Sequence, residues 1–203
     1  MIRLHDSKLS GNSWKIRLCL RHLGIPFERV TLNLAEGAHK ADSFTGRNRF
    51  KRVPVLELED GRNLAESNAI LLYLTEGTSL LPADAVERAK VVAWLFYEQA
   101  DLMRFLAFPR FYANTGQSEA FADVIAHYRS LGEAGLDVIE HALEGAPWLN
   151  GDLPSVADFS VYPYIRLSPE GGYALAGRPA INNWMAHFEA LPGFEPIVPA
   201  PRH

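Results

Sequence analysis

The stretch Val53-Pro54-Val55-Leu56-Glu57-Leu58, followed by Asp60-Gly61 and then by Leu64-Ala65-Glu66-Ser67-Asn68-Ala69-Ile70-Leu71, decides the fold. Val53 to Leu58 reads as a strand of β-branched and apolar residues with a proline almost at its start. Proline donates no ladder hydrogen bond and is tolerated only where a strand begins, at an edge or at a bulge. Asp60-Gly61 supplies a tight hairpin turn. The returning strand through Leu64-Ala65 ends at Glu66-Ser67, where an apolar helix begins at once. The start of a helix leaves backbone N–H groups without partners, and the dipole there favours anions. Ser67 is placed to cap that helix and to hold a ligand carboxylate. The backbone of Val53, just before the proline, stays free to pair with an extended peptide. The stretch predicts a peptide-reading edge beside a carboxylate-binding helix end.

Upstream, Ile2 to His5 reads as a short strand. Ile16, Cys19, Leu20 and Leu23 fall at i, i+3, i+4 and i+7, one face of a helix that stops at Gly24. Phe27 to Leu32 is a second strand, and the polar segment from Ala35 to Arg52 holds one short helix. The hairpin follows, then a helix from Asn68 to Glu76 closed by Gly77. The order is β-α-β-α-β-β-α, a small mixed sheet carrying helices. Thr78 to Asp84 reads as a linker, and beyond it no strand signal has any strength. Val86 to Tyr112 is helical and aromatic-rich, and Pro109 is expected to bend or end it. Ser118 to Leu143 is a second long helix, and Ser155 with Asp158 three residues on fits a capping box. Pro179 starts a last helix running to Leu191, ended by Pro192-Gly193. Strands first and helices afterwards predict two domains, residues 1–77 and 85–203, joined by the linker 78–84.

A chain of 203 residues is long enough for a proper core, and 48% hydrophobic with 22% charged residues is ordinary for a globular protein. The net charge of −4 gives no global basic field to draw nucleic acid. The lone cysteine, Cys19, excludes an intrachain disulfide and a cysteine-based zinc site. No apolar run approaches the roughly 20 residues that span a bilayer. Met1 to Asp6 reads as a strand rather than a signal peptide. No nucleic acid and no membrane are expected as partners, and a cytoplasmic location is the expectation.

Four motifs, in order, carry a resemblance over nearly the whole chain. They are Leu9-Ser10-Gly11-Asn12-Ser13-Trp14-Lys15-Ile16-Arg17, Gly24-Ile25-Pro26-Phe27-Glu28, Val53-Pro54 with Glu66-Ser67, and Trp148-Leu149-Asn150-Gly151 with Ser155-Val156-Ala157-Asp158. Together they resemble the cytosolic glutathione transferases, in particular the serine-type theta and zeta classes of bacterial members. The resemblance implies a thioredoxin-like, glutathione-binding α/β domain followed by an all-helical domain. It also implies glutathione as substrate, no metal, and a homodimer. Pro54 is implied to be cis, with the Val53 backbone pairing to the cysteinyl part of glutathione and Glu66-Ser67 holding the γ-glutamyl carboxylate.

The resemblance places Ser10 at the catalytic serine position and Asn12 at an asparagine used in some bacterial classes. The plain reading of the same loop is helix capping, which Asn12 or Ser13 alone would satisfy. A thiol of pKa ~8.5 is mostly protonated at neutral pH. Lowering it by two units needs roughly 2.7 kcal/mol of preferential stabilisation of the anion. A hydroxyl hydrogen bond and a helix dipole can supply that. Asp6 stands where other classes carry a catalytic tyrosine, and Cys19 lies on the apolar helix face rather than near Ser10. His39 and Arg52, with Lys40 and Lys51, are implied to neutralise the glycyl carboxylate. Here the chain departs from pattern: the family usually has Asn-Pro where this chain has Asn48-Arg49, and Lys51 replaces a frequent glycine.

Phe105, Phe108, Phe111 and Tyr112 read either as core or, in part, as the family's hydrophobic-substrate pocket, which Tyr164 would join. Gln99 and Asp101 sit where the family's helices meet a partner subunit. The expected activity is conjugation of the glutathione thiolate to small hydrophobic electrophiles, a detoxification chemistry. The alternatives are a glutathione-dependent isomerase of the zeta (maleylacetoacetate) type and a non-catalytic transferase-like interaction module.

Overall fold

Ile2–Asp6 forms strand β1, and Phe27–Thr31 forms β2 beside it in parallel, with Leu4 opposite Arg29. Between them runs helix α1, Gly11–His22, the crossover that a parallel pair requires. Val55–Glu57 (β3) pairs antiparallel with β1, and Asn63–Ala65 (β4) pairs antiparallel with β3, giving the sheet order β2-β1-β3-β4. The hairpin turn is closed by Leu58 N–H on the Arg62 carbonyl at 2.8 Å, and by Gly61 at a φ of +84° that suits glycine. Helices α2 (Asp42–Thr45) and α3 (Ser67–Thr75), with a 3₁₀ turn at Ala38–Lys40, complete the expected order. This computed structural model describes residues 1–197. Residues 198–203, the end of the helical domain expected from sequence, and the side chains of Asp42 and Ser43 lie outside the described part.

The chain divides into two compact units: Met1–Glu76 together with the segment from Leu191, and Gly77–Ala190. In the first, Leu4, Leu56, Ile16, Leu20, Ile70 and Leu71 are fully buried, so the sheet's apolar side is covered by α1 and α3. The segment after Leu191 folds back onto α1. Trp14 Nε1 donates to the Glu195 carbonyl at 2.8 Å, and a Cβ on Gly193 would lie 2.6 Å from the Arg21 carbonyl group. A glycine at φ +79° is what lets the backbones approach so closely. On the sheet, His5 Nε2 and Arg47 Nη1 each meet Glu57 Oε2 at 2.8 Å. The His5 hydrogen bond first, then the Arg47 charge, hold the Glu57 carboxyl below the usual carboxylate range.

Helices make up the regular structure of the second unit's described residues, apart from an isolated bridge between Trp148 and Gly151. It contains α4 (Ala85–Tyr97), α5 (Met103–Asn114), α6 (Ala122–Ala142), α7 (Val156–Leu167) and α8 (Pro179–Glu189). The long aromatic helix is interrupted at a point that carries no breaker residue. A π-helical turn at Glu98–Leu102 separates α4 from α5, whereas Pro109, expected to bend or end the helix, sits inside α5. Proline has no N–H for the carbonyl four residues back, that of Phe105. The Tyr173 hydroxyl donates to that carbonyl at 2.7 Å and replaces the lost bond. The capping box forms as expected. Ser155 N–H donates to Asp158 at 2.8 Å, and Asp158 also accepts from Leu149 N–H at 3.1 Å and Trp184 Nε1 at 2.8 Å.

Candidate functional site

Ser10 closes the loop between β1 and α1. It is the N-cap of α1, in an extended conformation, and its Oγ accepts the Ser13 N–H at 3.2 Å. Ser13, expected to be the cap, donates its backbone instead and is itself buried. Accepting uses a lone pair of Ser10 Oγ and leaves the hydroxyl proton available to donate. The loop is fixed from beneath. Asp6, fully buried at the end of β1, accepts Arg17 Nη1 at 2.6 Å, Arg29 Nε at 2.7 Å and Thr31 Oγ1 at 3.2 Å. Burial lowers the Arg17 guanidinium from its ordinary value, and Asp6 opposes this. Asp6 is thus a buried counter-ion to Arg17 and Arg29.

The hairpin brings its two functional ends together. Val55 pairs with Ala65, so continuing the antiparallel register sets Pro54 and Val53 alongside Glu66 and Ser67. The Val53–Pro54 peptide bond is cis, and Val53 precedes the ladder. Glu66, exposed, occupies the N-cap position of α3 at φ +70° without a side-chain capping bond. Ser67, expected as the cap, is the first helical residue; it is buried, and its Oγ donates to Asn12 Oδ1 at 3.1 Å. That bond ties the start of α1 to the start of α3. Among the described residues the only non-glycine positions at positive φ are Glu66 and Lys51 (+54°), both at sequence-predicted site positions. Strained backbone of this kind tends to collect where function demands it.

Ser10, His39, Arg52 and Val53 line one cavity of about 500 Å³. Lys40, Lys51, Leu34 and Phe50 complete its wall, so four cationic or titratable nitrogen side chains face it and no acid does. His39 Nδ1 is buried with no hydrogen-bond partner among the described residues. Asn12, Pro54, Glu66 and Ser67 are not among the residues that line the cavity. Sequence reasoning passed over Asn48, which is buried and braces the loop that carries Lys51 and Arg52. The usual Asn-Pro pair, broken here at its second residue, was the available signal.

Comparison with known proteins fits this geometry. Residues 9–76 match the family model "Glutathione S-transferase, N-terminal domain", and residues 115–192 match "Glutathione S-transferase, C-terminal domain". The chain belongs to the glutathione S-transferase family. Glutathione S-transferase 3 of Zea mays is 32% identical over 98% of this chain and 94% of its own length. A protein named maleylacetoacetate isomerase from Rhizobium meliloti (strain 1021) is 31% identical over 80% of this chain and 79% of its own. The crystal structure of a glutathione S-transferase from Pseudomonas fluorescens Pf-5 superposes with a TM-score of 0.95 at 34% identity, covering 98% of this chain and 99% of that one.

In this member of the family the single thiol sits in the core. Cys19 is fully buried, and burial pushes it up to about 12. The aromatic residues expected to receive an apolar substrate form a connected set on α5 and α6. Phe105 and Phe108 both pack against Tyr128, at 5.6 and 5.8 Å between ring centroids, and Tyr112 stacks on Phe121 at 4.3 Å. Phe108 and Phe111 remain exposed, whereas Tyr164, expected beside them, is buried on α7. Asp101 is exposed, and Gln99 Nε2 donates to Glu98 at 2.8 Å. Among the described residues no group of three His, Cys, Asp or Glu side chains is arranged to hold a metal ion, and no helix is long and apolar enough to cross a membrane.

Proposed function

We propose that this protein binds glutathione and transfers its thiolate to small hydrophobic electrophiles, as a serine-type transferase of theta or zeta character. The observation that carries the reading is the cavity in which Ser10, at the start of α1, shares a wall with His39, Arg52 and the Val53 edge. An anion-favouring helix start lies at one side, and cations suited to a peptide's carboxylate at another. Ser10 donates a hydrogen bond from its hydroxyl to the thiolate and keeps the proton; Val53 offers the edge backbone to the cysteinyl part; Glu66 and Ser67 take the γ-glutamyl end; His39 and Arg52 take the glycyl carboxylate. The thiolate sulfur then attacks the electrophile's carbon, the new C–S bond forms, and the leaving group departs with its electron pair. Exposed Phe108, with half-buried Phe105 and Tyr112 beside it, is our candidate surface for the apolar co-substrate. The protein supplies orientation and charge stabilisation, while glutathione supplies the nucleophile.

Isothermal titration with glutathione tests the binding, with Ser67→Ala expected to weaken it. Absence of heat up to millimolar glutathione would leave a non-catalytic interaction module as the better reading. Isomerase activity is the second reading, favoured by the similarity to the Rhizobium meliloti protein named maleylacetoacetate isomerase. A turnover screen with an aryl halide, an organic hydroperoxide, an isothiocyanate and a maleyl substrate separates conjugation from isomerisation. A cytoplasmic homodimer accompanies this reading, with the aromatic-rich helix from Val86 contributing to the contact. Light scattering at micromolar concentration is expected to give twice the chain mass, and a monomer would remove the partner from the site.

A further inference from the structure

The cationic wall of the cavity hangs on a loop of exposed residues, Arg49 to Arg52, that has no regular secondary structure. What shapes it is the side chain of Asn48, which is only 3% exposed. Its Nδ2 donates to the Arg52 carbonyl at 2.7 Å, and its Oδ1 accepts the Phe50 N–H at 2.9 Å. A backbone carbonyl can only accept and a backbone N–H can only donate, so the orientation of this amide is fixed. The Asn48 carbonyl accepts Lys51 N–H at 2.9 Å, which closes the loop while Lys51 sits in the left-handed region at φ +54°. The frame beneath is anchored: Asn48 N–H meets the carbonyl of buried Phe44, and neighbouring Arg47 is paired with Glu57 on β3. One buried amide therefore spans the turn that carries Lys51 and Arg52.

Resting on the glutathione reading, we infer that Asn48 is a positioning residue that sets affinity for the ligand's glycyl carboxylate through Arg52 and Lys51, without touching the ligand. No other described side chain bonds across this loop from within it. With the amide removed, the turn is free to leave the strained Lys51 conformation and the two cations lose their fixed places.

The test is isothermal titration of wild type and Asn48→Ala with glutathione and with its glycyl ethyl ester, which lacks that negative charge. Asn48→Ala is expected to bind glutathione about tenfold more weakly, the equivalent of about 1.4 kcal/mol. The ester, already weaker on wild type, is expected to change by less than about twofold. In turnover the KM for glutathione rises while kcat at saturation stays near wild type. Asn48→Asp keeps the acceptor for Phe50 but faces the Arg52 carbonyl with another acceptor, and it should show the same selective loss should the alanine variant fold poorly. Equal losses for both ligands, or no loss for either, overturn the inference while leaving glutathione binding intact. A wild type that gives no heat with glutathione overturns the glutathione reading and this inference with it.

Discussion

Ser10→Ala is expected to lower kcat/KM by tenfold to a hundredfold while leaving glutathione affinity within about threefold. In the function proposed above, the hydroxyl acts on the sulfur, the reacting atom, and other residues hold the tripeptide's carboxylates. Removing one donor aimed at reactive charge costs about 2.7–4 kcal/mol in other enzymes, a factor of ~10²–10³. Two features of this site favour the lower end. The helix start of α1 remains in place and still favours an anion. Asn12, two residues on, is close enough in sequence to compensate in part. Ser10 is also the N-cap, so alanine should cost about 1 kcal/mol of stability as well. Ser10→Asn, which retains a capping side chain, separates the two effects. The pH–rate profile is the decisive readout: with less stabilisation of the anion, the midpoint of activity moves to higher pH. Asn12→Ala should act more on binding, because its carbonyl oxygen receives the Ser67 hydroxyl. Near wild-type turnover in Ser10→Ala with lost turnover in Asn12→Ala would hand the chemistry to Asn12.

Asp158→Ala is expected to produce the largest loss of stability, about 3 kcal/mol or more. The carboxylate is wholly buried and accepts four hydrogen bonds, from the N–H and Oγ of Ser155, from Leu149 N–H and from Trp184 Nε1. Burial raises its pKa, and the bonds from Leu149, Ser155 and Trp184 oppose that. Truncation leaves those donors without an acceptor in a dry interior, and each orphan costs about 1–3 kcal/mol. For a chain of this size, 3 kcal/mol corresponds to a fall in Tm of roughly 6–12 °C. Ser155→Ala removes only one of the four bonds and should cost about 1 kcal/mol. Circular dichroism melts decide it. A Tm for Asp158→Ala within 2 °C of wild type would mean that water or repacking satisfies the donors.

The sequence by itself determined the order of elements in the first unit, the hairpin turn, the proline at the strand's start and the capping box at Ser155. Each rests on residues a few positions apart: a 3.6-residue apolar period, a turn dipeptide, a cap with its acid three residues on. It also marked Ser10, His39, Arg52 and Val53, which line one cavity. Only the tertiary structure decided which of these residues meet and what holds them. Ser67 became a donor to Asn12 instead of a cap because folding brings together two helix starts 55 positions apart. Pro109 did not break its helix, since Tyr173, remote in sequence, supplies the hydrogen bond that proline cannot. Asp6 is a buried counter-ion because Arg17 and Arg29 converge on it from a helix and a neighbouring strand. Asn48 bonds only within its own loop, but its burial, which makes it a brace, comes from packing. Periodicity and turn chemistry are local and so can be read along the chain; the partners of a buried polar group are set by packing, which exists only once the chain has folded.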